Sequence, residues 1–453
     1  AKFLQEAWKE CPASPFVPRP KEKELPPVVY EDDGQGEENR KDQQLPYDEV
    51  IPAPQPEPQP NPVEQTPTDP TPKPVVPTPP SPPTVKQLTF RLFGTAMQVR
   101  EPGGERIRLK DAGETSVAEA WRVLSVKENE GFLTDCLELR RTHQLCDWAY
   151  LRLLQTIGES AYGAGSNEAV LVTAWLYCQS GYKMRLGRSD DMRLHMLYAS
   201  RHAVFDMPYF KIGEERFYVC GTAPERMAIA NLAFPNETPL SLLVPNQPLL
   251  TLSPQQGVKR SSERFPGMNY TIAPNKNLID FYATYPSSTV GENFVSRWAM
   301  YANTPMSEDV KRQLYPALRK ELEGCNQLEA VNKLLNWVQT GFEYKLDDEV
   351  WGEDRAFFAE ETLFYPYSDC EDHSILFTRL VRDLVGLDCI LIYYPGHLAS
   401  AVEFTDTRIS GGDHILLNGH KFLVADATYI GAPVGLTMKG MDNQTATVIK
   451  LQR

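Results

Sequence analysis

The stretch YPYSDCEDHSILFTRL, residues 365–380, places one cysteine directly ahead of an amphipathic run. Ser368 stands three residues before Glu371, which is the spacing of a capping box at a helix start. Apolar residues then recur on one helical face and a glycine follows as a stop signal: Phe377, Leu380, Val381, Leu384 and Gly386. The pattern predicts a helix that begins at about Asp369 or Cys370 and ends at Gly386.

A cysteine at a helix N-terminus has four possible roles: buried spacer, disulfide partner, metal ligand or nucleophile. Free backbone N–H groups and the helix dipole favour a thiolate there, and the same groups could hold a developing oxyanion. The eight cysteines form no CxxC pair and no regular spacing. This argues against a disulfide scaffold and a structural zinc site, and it leaves the nucleophile as the preferred interpretation of Cys370.

The sequence downstream offers partners for such a nucleophile. CILIYYPGHLASAVEF, residues 389–404, predicts two strands, 389–394 and 397–404, broken at Pro395-Gly396. His397 opens the second strand. Ala399 and Ala401 share its face, where their small side chains would leave room for a partner against the ring.

DHILLNGHKFLVADATY, residues 413–429, predicts a hairpin around Asn418-Gly419, with Asp426 closing its second strand. The chain order is therefore Cys370, His397, Asp426. A nucleophilic thiol needs a base, and the base needs a carboxylate to set its tautomer. Antiparallel strands that pack on a helix end can supply that triangle.

These segments resemble the core of the transglutaminase-like (papain-like cysteine) superfamily, in its bacterial members. The resemblance rests on SDCEDHSILFTRLVRDLVGL, YPGHLASAVEF and HKFLVADATY, and on the upstream LLNWVQTGFEYKLDDEVWGEDRAFFAEETLFYPYSDC. It covers about residues 300–430. It implies an α+β fold in which the cysteine helix packs on an antiparallel sheet.

The resemblance implies that Cys370 is the nucleophile, His397 the base and Asp426 the orienting carboxylate. Tyr365 and Tyr367 are further candidates, as oxyanion donors or substrate contacts. Asp369 is a further candidate for the site, although its position beside the cysteine favours a role in capping the helix and fixing the loop over a catalytic role. Many members have an aromatic residue two places after the histidine, where this chain has Ala399. Bacterial members are often peptidases or amidases, so hydrolysis is favoured over transamidation.

Other polar residues near the motif have less specific interpretations. His373 lies one turn into the predicted helix, and its spacing points it away from the open side of the thiolate. The acidic run KLDDEVWGED could bind calcium through oxygen ligands, but it lacks the ligand order of an EF-hand. A solvated acidic loop is the alternative, and no cofactor or metal is otherwise expected. These groups are the histidines His373, His414 and His420 and the acids Asp347, Asp348, Glu353 and Asp354.

The remainder of the chain predicts several regions. Residues 1–50 are polar and predicted to be disordered, and 51–86 form a spacer in which 15 of the residues 51–85 are proline. Residues 87–225 read as an α/β domain, 226–300 as a connecting region rich in loops and short strands, and 301–453 as the catalytic domain. A long proline-rich spacer suits a periplasmic, cell-envelope or secreted protein with an envelope partner.

The first half of the chain has a segment with the same order of predicted elements as the second half. GSNEAVLVTAWLYCQSGYKMRLG and the strands that follow have the same helix–glycine–strand order as the cysteine segment. Alignment on the glycines places Gly165 opposite Cys370, His195 near His397 and Gly221 opposite Asp426. If this is a repeat, it is a degenerate, non-catalytic copy. The alternative is an unrelated α/β domain.

Composition excludes some classes of function. The 453 residues carry a formal net charge of −14, and no Lys/Arg cluster interrupts that pattern. A nucleic-acid partner or an anionic membrane surface is therefore not expected, and neither is a transmembrane segment. The sequence favours a cysteine-dependent hydrolase acting on a protein or peptide. A transglutaminase and a non-catalytic envelope scaffold of the same fold are the alternatives.

Overall fold

The computed structural model describes residues 86–103, 106–230, 233–234, 236–253, 255–290 and 293–452. The predicted disordered region and nearly all of the proline-rich spacer lie outside these residues. Within them the chain mixes helices with antiparallel sheets, in agreement with the predicted α+β class. None of the described helices has the length and apolar character that a membrane crossing requires.

The elements are numbered in chain order. The helices are α1 Glu114–Leu124, α2 Glu130–Thr142, α3 Asp147–Tyr162, α4 Asn167–Gln179, α5 Lys276–Tyr282, α6 Arg297–Asn303, α7 Glu308–Leu322, α8 Gln327–Gly341, α9 Asp347–Val350, α10 Ala359–Phe364 and α11 Cys370–Leu384. The strands of the first half are β1 Gln87–Leu92, β2 Thr95–Arg100, β3 Met184–Ser189, β4 Leu194–Ala199, β5 His202–Val204, β6 Tyr209–Ile212, β7 Glu215–Val219 and β8 Met227–Ala230. The strands that follow are β9 Val258–Ser261, β10 Asn269–Ile272, β11 Ser288–Val290, β12 Glu343–Tyr344, β13 Tyr367–Ser368, β14 Cys389–Tyr394, β15 His397–Glu403, β16 His414–Leu417, β17 His420–Ala425 and β18 Thr447–Lys450.

Two five-stranded sheets organise the molecule. Their strand orders are β6-β7-β4-β3-β8 and β16-β17-β15-β14-β18, and neighbouring strands in both are antiparallel. Read along the chain, the two orders are the same. Helix α4 packs on the first sheet and α11 on the second.

The cysteine helix forms as predicted, but its cap differs. α11 begins at Cys370 and ends two residues before Gly386, which has a φ of +73°. The Asp369 N–H donates to Asp372 Oδ2 over 3.2 Å. The predicted Ser368–Glu371 capping pair is therefore wrong, because the Ser368 hydroxyl instead bonds the ring of His373 at 2.9 Å.

The second sheet is apolar on both faces. Leu398 and Val402 of β15 belong to the large core that includes α11. Ala399 and Ala401 lie instead in a separate closed core with residues of β14, β16, β17 and β18. Asp426 follows Ala425, the partner of Ser400, and its carboxylate reaches the ring of His397 on the face that the two alanines share, so the predicted room for a partner is present.

Two further features concern the first half of the chain. KQLTFRLFGTAMQVRE forms the hairpin β1–β2, which turns at Phe93-Gly94. β8 extends the first sheet beyond the predicted boundary at residue 225. A single apolar core includes buried residues from Phe90 to Ile449. We call each five-stranded sheet with the helix packed on it, α4 or α11, a sheet unit. The two sheet units therefore share one interior.

Candidate active site

The structure brings two of the three predicted catalytic residues into contact. His397 is the first residue of β15, and Asp426 follows the last residue of the neighbouring β17. His397 Nε2 lies 2.8 Å from Asp426 Oδ2, and both side chains are buried. The ring of His397 also stacks on Tyr394 at 6.3 Å between centroids. Because Nε2 faces the carboxylate, Nδ1 is the nitrogen that can accept a proton from elsewhere.

The Asp426 carboxylate is fixed from its other side. Oδ1 accepts hydrogen bonds from the Thr428 N–H at 2.9 Å, the Thr428 hydroxyl at 3.0 Å and the Tyr429 N–H at 3.1 Å. Burial by itself would raise the pKa of Asp426, but the bonds from His397 and Thr428 outweigh it and lower the pKa. The residue is therefore an ionised acceptor that holds the Nε2–H tautomer of His397.

Cys370 lies beside this pair without bonding to it. Its sulfur accepts the backbone N–H of Leu398, the residue directly after His397. Ser374, one turn along α11, donates to the Leu398 carbonyl over 3.0 Å. The thiol itself donates to Glu371 Oε2 at 3.2 Å, rather than to the His397 ring.

The electrostatics of Cys370 differ from the prediction. Cys370 as a residue is 9% exposed. Burial, followed by the charges of Glu371 and Asp369, raises the pKa of Cys370 well above its ordinary value, and the Leu398 N–H only partly opposes this. The expectation that the helix N-terminus would favour a thiolate is therefore wrong here, because burial and then the two adjacent carboxylates oppose it. The resting form is the thiol.

Both ring nitrogens of His373 are hydrogen-bonded, so this histidine is not available as the general base, as its spacing indicated. Nε2 bonds Ser368 Oγ at 2.9 Å, and Nδ1 bonds the Ala427 carbonyl at 3.3 Å. Burial lowers the pKa of His373 to about 4. The residue ties α11 to the segment after β17 and so supports the position of Asp426.

The two predicted oxyanion tyrosines contact other groups. The Tyr365 hydroxyl lies 3.4 Å from Arg355 Nη2, and its ring packs on Trp351 and Phe357. The ring of Tyr367 lies under the Lys345 ammonium, 3.5 Å from its centroid. Asp369, in contrast, is buried, with a carboxylate oxygen within 4.8 Å of the Cys370 sulfur.

Tyr344 is the residue that sequence reasoning missed. Desolvation, and then the nearby charges of Cys370, Asp369 and Glu371, raise the pKa of its hydroxyl. The hydroxyl is therefore in electrostatic contact with the charges around Cys370, although the residue remains 44% exposed. β12 holds it beside Ser368 in a parallel pair. Tyr344 belongs to the FEY sequence of the upstream motif. Nothing in that sequence indicated that β12 would pair with the strand just before the cysteine.

The acidic loop is only partly solvated. Asp348 and Glu353 are exposed, as predicted. Asp347 is buried at 7% exposure and Asp354 is half-buried. For these two residues the prediction of a solvated loop is wrong, because the loop folds back onto the N-terminus of α11.

The first sheet unit can be compared with the second by strand register. α4 and α11 each end two residues before a glycine, and β3 and β14 each begin three residues after it. The first residues of these strands, Met184 and Cys389, pair with Tyr198 and Val402. Tyr198 and Val402 pair in turn with Tyr218 of β7 and Leu423 of β17.

The register assigns the counterparts of the three predicted residues. Gly221 lies opposite Asp426, as predicted, but Arg193 rather than His195 lies opposite His397. Counted back from the shared glycine, Gly165 lies opposite Cys370, as predicted, whereas Asn167 is the residue that begins its helix as Cys370 does. The Leu194 N–H donates to Asn167 Oδ1 at 2.9 Å, as the Leu398 N–H does to the Cys370 sulfur.

The cysteines of the described residues are free: Cys136, Cys146, Cys178, Cys220, Cys325, Cys370 and Cys389. Cys11 lies outside the described residues. No family model, no curated protein and no solved structure matches the chain.

Proposed function

We propose that the protein is a cysteine-dependent amide-bond hydrolase of transglutaminase-like type. One observation carries the proposal: the buried His397–Asp426 pair stands next to Leu398, whose N–H meets the Cys370 sulfur. A nucleophile, a base and an orienting carboxylate thus come from α11, β15 and the end of β17. This order agrees with the resemblance of the sequence.

The proposed reaction proceeds through a thioester. His397 Nδ1 takes the thiol proton as the Cys370 sulfur attacks the amide carbonyl carbon, and the proton passes to the leaving amine as the C–N bond breaks. Water then attacks the thioester carbonyl while His397 takes one of its protons. The C–S bond breaks, the acid product leaves, and the proton restores the thiol. Because the resting thiol is protonated, attack depends on this base rather than on a preformed ion pair.

Site-resolved alkylation with iodoacetamide tests the pairing. We expect Cys370 to react faster than Cys389, which is buried in β14, and His397→Ala to slow Cys370 alone. Equal rates at the two cysteines, unchanged by His397→Ala, would remove the support for a nucleophile. Cys370→Ala supplies the blank for the labelled peptide.

Hydrolysis and transamidation differ in the group that attacks the thioester. A glutamine-containing peptide library incubated with a fluorescent primary amine separates them. Release of the free acid without incorporation of the amine supports the hydrolase, whereas amine incorporation that requires Cys370 indicates a transglutaminase.

A non-catalytic binding protein is the second candidate, and one observation favours it. The Cys370 thiol donates to Glu371, in surroundings that disfavour the thiolate. If Cys370→Ala retains every partner that the wild-type protein binds, and no peptide is turned over, this second function replaces the first.

The same reasoning applies to the first sheet unit, which we interpret as a degenerate copy. Its matching strand order and its Leu194–Asn167 bond support a duplication. Asn167, Arg193 and Gly221 offer no nucleophile, neutral base or carboxylate at the three positions. The unit would therefore support the second sheet without chemistry of its own.

A further inference from the structure

Arg260, the third residue of β9, is a buried arginine that the chemistry proposed above does not use. It is 4% exposed, and its Nε is buried without a hydrogen-bond partner among the described residues. Burial lowers the pKa of Arg260 to about 10, and no carboxylate in the described part of the chain opposes that shift. A buried cation is costly unless other groups compensate it, so the remaining contacts of its guanidinium are informative.

Carbonyl oxygens at the end of α10 bind this guanidinium. Arg260 Nη2 donates to the Tyr365 carbonyl at 2.5 Å and to the Thr362 carbonyl at 3.4 Å. The last carbonyls of a helix lack partners within the helix, and a cation is favourable there. Tyr365 lies two residues before the start of β13. The contact therefore fixes the chain just ahead of that strand.

An aromatic ring also contacts the guanidinium. Arg260 Cζ lies 4.4 Å from the ring centroid of Phe342, in a cation–π contact. Phe342 directly precedes β12. Its ring and the ring of Tyr344 both contact the imidazole of His373, at 5.8 Å and 6.2 Å between centroids. Arg260 therefore touches the chain immediately before β12 as well as before β13.

The pairing of β12 with β13 determines where Tyr344 lies relative to the cysteine helix. Tyr344 pairs with Ser368, two residues before Cys370, and the Lys345 N–H donates to the Ser368 carbonyl at 3.1 Å. Each strand is only two residues long. Because so short a pair has few hydrogen bonds of its own, its position depends on the groups that hold its two entering segments.

We propose that Arg260 is a positioning residue that acts through Tyr344. By binding the Tyr365 carbonyl and the Phe342 ring, its guanidinium holds β12 against β13 and keeps the Tyr344 hydroxyl in electrostatic contact with the surroundings of Cys370. The inference rests on the proposed hydrolase, in which this hydroxyl is placed to donate to the oxygen of a tetrahedral intermediate.

A purely structural role is the alternative for Arg260. It predicts that replacement of the arginine lowers activity only as far as it lowers the folded fraction. Positioning predicts instead a lower kcat in a folded protein. Methionine fills a similar space without a charge to bury, so we expect Arg260→Met to remain folded, as measured by urea denaturation. A loss of activity that matches the unfolded fraction would overturn the proposal.

A double-mutant cycle tests whether Arg260 acts through Tyr344. For a peptide of the glutamine-containing library that the wild type hydrolyses, Arg260→Met should lower kcat by about 10–100-fold at nearly unchanged KM. In the Tyr344→Phe background the same replacement should lower kcat by less than about 2-fold, because the contribution is already lost. Losses that multiply in the double variant would show that Arg260 acts independently of Tyr344.

Two further variants complete the cycle. Arg264→Met is the matched control, because Arg264 is exposed, contacts the Phe265 ring and should leave kcat unchanged. Arg260→Lys keeps a charged donor for the carbonyls but lacks the planar group that stacks on Phe342, so it should restore part of kcat. If Arg260→Met does not fold, Arg260→Lys takes its place, with a smaller loss that must also disappear in the Tyr344→Phe background.

NMR of the full chain with ¹³C-labelled tyrosine gives a readout that needs no turnover. Tyr344→Phe assigns the Tyr344 signal. Cys370→Ala should shift this signal, since the charges at Cys370 and its neighbours act on the Tyr344 hydroxyl. With Arg260→Met that response should be lost, and with Arg264→Met it should persist. An unchanged response in Arg260→Met would refute the positioning role whether or not any peptide is hydrolysed, so the two proposals can fail separately.

Discussion

Gln339 Nε2, in the last turn of α8, donates to the backbone carbonyl of Asp426 over 2.9 Å. The same nitrogen reaches the carbonyls of Tyr429 at 2.9 Å and Ala432 at 3.0 Å, and Oε1 accepts the Gly431 N–H at 3.3 Å. Gln339 is 2% exposed. One buried amide therefore holds the loop that carries the carboxylate partner of His397.

Replacement of this amide should loosen the loop and cost stability. Gln339→Leu leaves three carbonyls without their donor, so we expect the free energy of unfolding to fall by about 2–4 kcal/mol. Urea denaturation measures this loss. Gln313→Leu is the control, because Gln313 makes comparable bonds at an exposed position and should change stability by less than about 1 kcal/mol. Equal losses for the two variants would contradict the role of the buried amide.

The Asp426 carboxylate should stabilise the fold in a pH-dependent way. Its pKa in the folded state lies below the unfolded value, so its contribution is present above about pH 4 and is lost as the pH falls further. Asp426→Asn should cost about 2 kcal/mol at pH 7, and the difference from the wild type should shrink at acid pH. Chemical denaturation over that pH range measures it, with the exposed Asp413→Asn as control. A difference independent of pH would contradict the assignment.

Tyr344 should contribute to turnover if Cys370 is the nucleophile. Its hydroxyl is close enough to interact electrostatically with the thiol and could donate to the oxygen of a tetrahedral intermediate. Tyr344→Phe should lower kcat by about 10–100-fold while leaving KM and stability nearly unchanged. Tyr367→Phe, on the neighbouring strand with its ring under Lys345, is the control. An unchanged kcat would exclude Tyr344 as an oxyanion donor.

The sequence predicted the parts of the fold that depend on local signals. The Asn418-Gly419 hairpin depends on turn chemistry, the C-terminal end of α11 on the stop signal at Gly386, and the contact of His397 with Asp426 on two-residue alternation, and each is present. The His397–Asp426 contact in particular follows from the adjacency of β15 and β17.

The sequence could not predict what distant segments bring to the cysteine. Asp347 approaches Asp369 only because the acidic loop folds over the start of α11, and no periodicity encodes that approach. The thiolate expected at the helix N-terminus is disfavoured by burial and by the neighbouring Glu371 and Asp369, and the local sequence does not reveal that these groups are buried together. The two helix starts differ by two residues because α4 is 13 residues long and α11 is 15, and His195 lies two residues from Arg193, the counterpart of His397 in the strand register.

His202 should make the stability of the protein depend on pH. It lies in β5, paired with β11, and its ring is 4% exposed with no partner for Nδ1 among the described residues. Burial, and then the charge of Arg201, lowers the pKa of His202 to about 4. Between about pH 6.5 and 4 the unfolded chain therefore binds a proton that the folded chain does not, and stability falls as the pH falls. His202→Gln should remove up to about 3 kcal/mol of this loss, measured as the difference between the two denaturation series. The other histidines are the same in both proteins. If the free energies of unfolding of the two proteins change equally with pH, His202 is solvated or paired.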